Sequence, residues 1–316
     1  MARSSPPPRK KSNPRPERLA GFAEDAVSKS LRVVGETLAR AAKPFRGDVE
    51  PIHDVRVSTR RAAATLQFFE ERFSKRLVER FRKRLKRIRR AAGAARDADV
   101  LVDQLTARKE DSPLLTRVQA KQKSARKDIR LVRTKAKDKR WFKGRLRELL
   151  RSLERKDDVP LHEWTAGRWE GLSRDYLQHS PTGTATVEAL HRFRIRTKTL
   201  RYQLELLENM LPPRACQQTL TRLIRIQDDL GKLIDKVTGL GLLERLKPAP
   251  AKGSPGTRQS PSMAQLKRDI DRSRKAFLKA WVSSRERELS KQLNDLIARM
   301  KRSRTPTRKG GRPRIA

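Results

Sequence analysis

Two stretches of this chain set histidine and cations at helical spacing: His53-x-x-Arg56-x-x-x-Arg60-Arg61 and His191-x-x-Arg194-x-Arg196-x-Lys198-x-x-Arg201-Tyr202. Arginine offers a planar fork of donors matched to phosphate oxygens, and lysine adds a mobile point charge. A histidine facing such an anion has its protonated form favoured by the negative charge nearby. The chemistry on offer is therefore recognition of a polyanion, with binding that strengthens as pH falls toward 6.

The chain holds four histidines in 316 residues, and two of them head these stretches. An offset of 138 residues separates His53 from His191, and it persists downstream without insertion: Arg56 meets Arg194, Leu66 meets Leu204, Arg84 and Arg87 meet Arg222 and Arg225, Gly93 meets Gly231, and Asp97 meets Asp235. The sequence thus reads as an internal duplication whose copies each present histidine and cations. His162 and His179 have no counterparts and read as structural.

Other chemistries have little support. No Gly-rich phosphate loop, His-Glu-x-x-His or nucleophile elbow is present, so the catalytic assignment is none. No acidic cluster has ligand spacing, so no metal site is assigned, and no cofactor is implied. Gly93-x-x-x-Asp97 and Gly231-x-x-x-Asp235 each follow an amphipathic run and read first as the end of one helix and the first turn of the next. A competing role has these carboxylates hold the motif arginines in place. Asp228-Asp229 reads as a helix-end charge balance.

The elements that must carry these residues are helical almost throughout. Helices are expected over 17–42, 49–73, 76–91, 96–108, 114–138 and 140–156, then over 161–179, 185–211, 213–230, 233–246, 263–283 and 285–302. On a wheel of about 100° per residue, Val55, Ala62, Leu66, Phe69 and Phe73 share one face, and Phe193, Leu200, Leu204, Leu207 and Leu211 the equivalent one. Beside each core face runs a separate stripe: His53, Arg56 and Arg60, then His191, Arg194, Lys198 and Arg201. The second stripe is about 15 Å long, a length suited to several consecutive phosphates. Arg61 and Arg196 are basic neighbours off the stripe. The following helix carries a heavy cationic load between Arg76 and Arg90, which read alone is a solvated face.

Composition agrees with an all-α protein: 35% hydrophobic and 5% aromatic residues, rich in Leu, Arg, Lys and Ala. A formal charge of +42, from 78 Lys and Arg against 36 Asp and Glu, repels itself in a compact fold unless counter-anions associate. Nucleic acid, polyphosphate, polyphosphorylated small molecules and an anionic membrane surface all satisfy charge alone. Cys216 is the single cysteine, which excludes an intrachain disulfide. The first residues lack the apolar core of a secretory signal, and no stretch reaches the roughly 18 apolar residues of a membrane span. A cytoplasmic location is the expectation. Residues 1–16 and 303–316 read as disordered basic tails and 247–262 as a Pro-rich loop within the second copy. Arg308-Lys309-Gly310-Gly311-Arg312-Pro313-Arg314 looks like an AT-hook, although Gly310 stands where that motif wants arginine.

HDVRVSTRRAAATLQFF at 53–69, AARDADVLVDQL at 94–105, LHRFRIRTKTLRYQLELLE at 190–208 and LGKLIDKVTGLGLLERL at 230–246 resemble the CHAD domain, the conserved histidine α-helical domain. The resemblance spans residues 17–302, with repeat one at 17–156 and repeat two at 161–302. It implies two duplicated helical bundles about a pseudo-two-fold axis, a central basic cavity, and binding of inorganic polyphosphate at polyphosphate granules. By position, His53, Arg56, Arg60, His191, Arg194, Lys198 and Arg201 would bind, with Tyr202 supporting; Arg61 and Arg196 stand beside them, and Arg84, Arg87, Asp97, Arg222, Arg225 and Asp235 form a supporting set. Ala63 occupies the copy-one position matching Arg201, where the family commonly has a cation, so the second motif is expected to carry more of the affinity. The acidic triphosphate tunnel domain that often accompanies the module is absent from the chain. The expectation is a non-enzymatic polyphosphate binder, with a nucleic-acid binder as first rival and a polyphosphate phosphohydrolase as second.

Overall fold

The computed structural model describes residues 18–43, 48–107, 113–134, 139–155, 159–246 and 261–302. The expected tails at 1–16 and 303–316, with the AT-hook-like sequence, lie outside the described residues, as do residues 247–260 of the Pro-rich segment. The described residues form α1 (Leu19–Ala41), α2 (Glu50–Phe68), α3 (Lys75–Ala107), α4 (Pro113–Thr134), α5 (Lys139–Arg151), α6 (Leu161–Gln178), α7 (Val187–Leu206), α8 (Pro213–Leu246), α9 (Pro261–Ala280) and α10 (Glu286–Arg302). A π-helical segment, Trp281–Arg285, joins α9 to α10. The fold is all-α; among the described residues the extended backbone makes a single isolated bridge, Arg18 to Pro160.

Local chemistry sets the ends of the two motif helices. Pro51 stands in the first turn of α2, where its missing N–H costs nothing. At the start of α7 the Thr186 hydroxyl accepts from the Ala189 amide at 3.3 Å, an N-cap. Each helix closes through a 3-10 turn, Glu70–Arg72 or Glu208–Met210, followed by an extended residue, Phe73 or Leu211. These closures repeat at the same 138-residue offset as the motifs. Arg168 of α6 clamps the end of α2, donating from Nε to the Phe68 carbonyl at 3.0 Å and from Nη2 to the Gln67 carbonyl at 2.7 Å. A cation at that end satisfies orphan carbonyls and complements the helix dipole.

Two expected helix breaks do not occur. The helices expected over 76–91 and 96–108 merge, as far as the described residues run, into one helix of 33 residues, Lys75–Ala107, and those over 213–230 and 233–246 into one of 34. Gly93 lies between Ala91, Ala92, Ala94 and Ala95, the best helix formers, which offset the roughly 1 kcal/mol that a mid-helix glycine costs. Around Gly231 the buried stripe of Ile226, Leu230, Leu233 and Ile234 runs straight through the glycine, so a break would expose it. The helix-end reading of both Gly-x-x-x-Asp sequences is therefore wrong, and the aspartates lie mid-helix.

The core is contiguous. Phe68 and Phe69 of α2's end meet Trp164 of α6 at ring separations of 5.3 and 5.5 Å. Farther along, Phe193 of α7 contacts Tyr176 and Trp281, each at 5.0 Å. The expected core faces are buried: Val55, Ala62, Leu66, Phe69 and Phe73 on one side, and Phe193, Leu200, Leu204, Leu207 and Leu211 on the other. Burying those faces fixes the rotation of α2 and α7, which pack against each other. The cationic stripes then have no freedom to turn away.

Candidate functional site

Where α2 and α7 meet, a cavity of about 180 Å³ opens beside the core. Its polar lining is Arg60 and Gln67 from α2, Arg89 from α3, and His191, Arg194, Lys198, Thr199 and Tyr202 from α7; Ala63 and Ala64 form part of the wall. Thr197, one residue before Lys198, is fully buried, with its hydroxyl 3.0 Å from that of Tyr176. That anchor on the core side holds the opposite edge of α7 toward the cavity.

The arginines are held in place by carboxylates at the edge. Arg56 Nη1 lies 3.5 Å from Asp97 of α3, and Arg201 Nη1 lies 3.0 Å from Glu205 one turn on. Asp235 of α8 acts on Arg194 as the strongest neighbouring negative charge, with Asp228 beside it. Asp97 thus pairs with Arg56 and Asp235 acts on Arg194 by its charge, and neither begins a helix. Gly231 makes the seat for Arg194: a side-chain carbon at that position would lie 3.3 Å from Nη2, whereas at Gly93 nothing lies within 4 Å. Arg201 also stands over the Tyr202 ring at 4.6 Å, with Arg61 at 5.7 Å from the same centroid.

Positive charge in the cavity is poorly compensated. Burial, reinforced by Arg60, Arg194, Arg56 and Arg201, pulls the Lys198 ammonium down to about 7. Burial and Arg56 bring Arg60 to about 10, with Arg194 and Arg89 adding to the effect. Burial, then Arg194 and Lys198, also lower His191 below the ordinary histidine value. Burial lowers Arg194 and Arg89 as well; Asp235 works against it at Arg194, and Arg90 reinforces it at Arg89. Three donors, Arg56 Nη1, Arg194 Nε and Arg201 Nε, are buried without a hydrogen-bond partner. Unfilled donors and crowded like charges together make a site that an anion would complete.

The structure brings together Arg60, His191, Arg194, Lys198 and Tyr202 at the cavity and sets Arg56 and Arg201 close enough to act on Lys198. His53 is exposed and does not line it. Arg61 binds Glu205 at 3.0 Å and faces a second cavity of about 800 Å³ on the other side of Tyr202. Arg196 pairs with Asp175 of α6 at 3.0 Å. Arg222 and Arg225 belong to a third cavity, of about 850 Å³, against the π segment and α10, where Arg222 engages Glu288 and Gln292. Arg84 donates to the Val132 carbonyl of α4 at 3.1 Å, and Arg87 is exposed. For His53, Arg61, Arg196, Arg84, Arg87, Arg222 and Arg225 the sequence placed in the site what the fold directs elsewhere. A one-helix wheel shows which residues share a stripe, but not which neighbouring helix covers that stripe.

Two residues escaped the sequence reading. Arg89 was one cation among many on α3, and only the packing of α3 beside α2 singles it out. Gly231 was legible as a repeated glycine but not as a seat. Among the described residues no group of three or more His, Cys, Asp or Glu could hold a metal, and no helix is long and apolar enough to cross a membrane.

The family model of the CHAD domain matches residues 26–244. The crystal structure of the CHAD domain from the plant Ricinus communis superposes with a TM-score of 0.59 at 19% identity, covering 89% of this chain and 93% of that one. PptA from Streptomyces chartreusis superposes with a TM-score of 0.50 at 14% identity, covering 88% of this chain and 100% of that one. At such identities the likeness is one of fold. No curated protein matches the sequence.

Proposed function

The chain belongs to the CHAD domain family, and we propose that within it this protein binds inorganic polyphosphate, without turning it over, through the cavity between α2 and α7. The observation that carries the reading is the convergence of Arg60, Arg89, Arg194 and Lys198 on one small cavity, where burial first and the crowded cations second bring Lys198 down to about 7. A polyphosphate chain brings a negative charge with each phosphate and no bulky sugar or base. It therefore supplies acceptors to Arg56, Arg194 and Arg201 within a space that a duplex does not enter. The stripe from His191 to Arg201 continues the track for about 15 Å along α7. The proposed setting is the cytoplasm, at polyphosphate granules.

The cavity's lining is dominated by cations and holds no carboxylate that could carry a divalent ion, which supports binding over hydrolysis. A second reading, nucleic-acid binding, draws on the exposed ridge of Arg76, Lys83, Lys86, Arg87 and Arg90 on α3. Competition in moderate salt separates the two: polyphosphate is expected to displace itself far better than duplex DNA of equal charge does, because contacts to an open ridge weaken steeply with salt. Equal competition by DNA would sink the proposal. Phosphate release, assayed with and without a divalent ion, checks for turnover.

A further inference from the structure

We propose that Lys198 is a site of acylation by small acyl phosphates, which seat their phosphate on Arg60 and Arg194 in the cavity and present the acyl carbon to the lysine Nζ. This rests on the anion-binding reading above, applied to a smaller anion. Lys198 lines the cavity, and among the described residues no hydrogen bond or ion pair engages its ammonium. Other lysines do have partners: Lys236 donates to Ser273, Lys275 pairs with Asp271, and Lys301 with Glu170.

The groups around Lys198 are Arg56 and Arg60 from α2, Arg89 from α3, and His191, Arg194 and Arg201 from its own helix. The carboxylates nearby are committed elsewhere: Asp97 to Arg56, Glu205 to Arg201 and Arg61, and Asp235 to Arg194. With the Lys198 ammonium held down to about 7 by that burial and crowding, the free amine at neutral pH is roughly a thousandfold more abundant than for an ordinary lysine. A reactive amine thus shares one cavity with guanidinium groups suited to hold a phosphate.

The step balances without a redox partner. The Nζ lone pair adds to the carbonyl carbon of the acyl phosphate, the bond from that carbon to the bridging oxygen breaks, and phosphate departs with the electron pair. The proton lost from nitrogen passes to the phosphate, leaving an amide. Arg60 and Arg194 stabilise the departing anion as its charge grows. The amide removes a cation from the track and fills part of a 180 Å³ space, so acylation would release polyphosphate.

The test incubates the full chain with acetyl phosphate at pH 7 and follows acetylation of each lysine by peptide mass spectrometry. Lys198 is expected to react at least about tenfold faster than exposed Lys83 and Lys86, and excess inorganic phosphate should erase the advantage. N-hydroxysuccinimidyl acetate, which carries no phosphate to seat, should favour Lys198 by a smaller factor than acetyl phosphate does. After acetyl phosphate treatment, wild-type affinity for polyphosphate should drop roughly tenfold, a loss of 1.4 kcal/mol, while Lys198→Arg, which cannot be acylated, should be unchanged by the treatment. Acetylation of Lys198 at the rate of Lys83, or a preference that phosphate leaves untouched, overturns the inference. Polyphosphate affinity is measured on untreated protein in parallel, so a chain that binds polyphosphate but shows no selective acetylation loses only this inference.

Discussion

The guanidinium of Arg194 lies against Gly231, so close that a side-chain carbon at position 231 would be 3.3 Å from Nη2. A helix of this length tolerates alanine better than glycine, so the residue is there for the close approach and not for the backbone. Gly231→Ala is expected to keep or raise stability, by up to about 1 kcal/mol, while lowering polyphosphate affinity severalfold as Arg194 is pushed from its seat. Gly93→Ala meets no neighbour and should stabilise without touching affinity. Chemical denaturation and a binding titration on both variants give the comparison.

Lys198 couples binding to pH. The free protein holds it near 7, and a bound polyanion raises that value, so binding takes up a proton. Affinity is therefore highest below pH 7 and falls as pH rises above it, toward the higher value of the complex. His191, lowered by burial and its cationic neighbours, adds a further gain below the ordinary histidine range. Titrations from pH 5.5 to 9 should show a steady fall, and one that stays flat from pH 6 to 9 would remove both residues from the interface.

The same lysine weakens the empty protein. Because its folded value lies below the unfolded one, the unfolded chain binds the proton more tightly, and stability rises as pH climbs from about 7 toward the unfolded value. Lys198→Met should thus raise the melting temperature at pH 6 by about 2 °C and cost at least roughly tenfold in affinity. A calorimetric scan with and without polyphosphate distinguishes the two effects.

Arg60, on the stripe and at the cavity, and Arg196, off it and paired with Asp175, should differ in their effect on binding. Arg60→Ala opens the cavity's α2 wall and should weaken binding roughly tenfold, or 1.4 kcal/mol. Arg196→Ala loses only an exposed pair with Asp175, worth well under about 1 kcal/mol, and should bind within twofold of wild type. Arg89→Ala is expected to behave like Arg60→Ala.

Much of this was legible in the residues. The 3.6-residue period fixed the core faces of α2 and α7, and with them the edge on which Arg60, His191, Arg194 and Lys198 stand. Arg61 and Arg196 were recognisably off that edge, yet their carboxylate partners, Glu205 and Asp175, could be found only once separate helices were packed. Arg89 was hidden by abundance, since cations crowd its helix from Arg76 to Arg90 and the period alone ranks them equally. The glycines misled because punctuation is local, whereas the apolar stripe of α8 and the alanines of α3 carry each helix through.

An unbroken α3 also acts as a ruler. Arg89 reaches the cavity and Asp97 steadies Arg56 from the same rigid rod, eight residues or about 12 Å apart by helical rise. A hinge at Gly93 would have let that span breathe. Without one, the spacing of the cations is set by backbone hydrogen bonds along the helix, so the gauge of the proposed phosphate track is built into the scaffold before any ligand arrives.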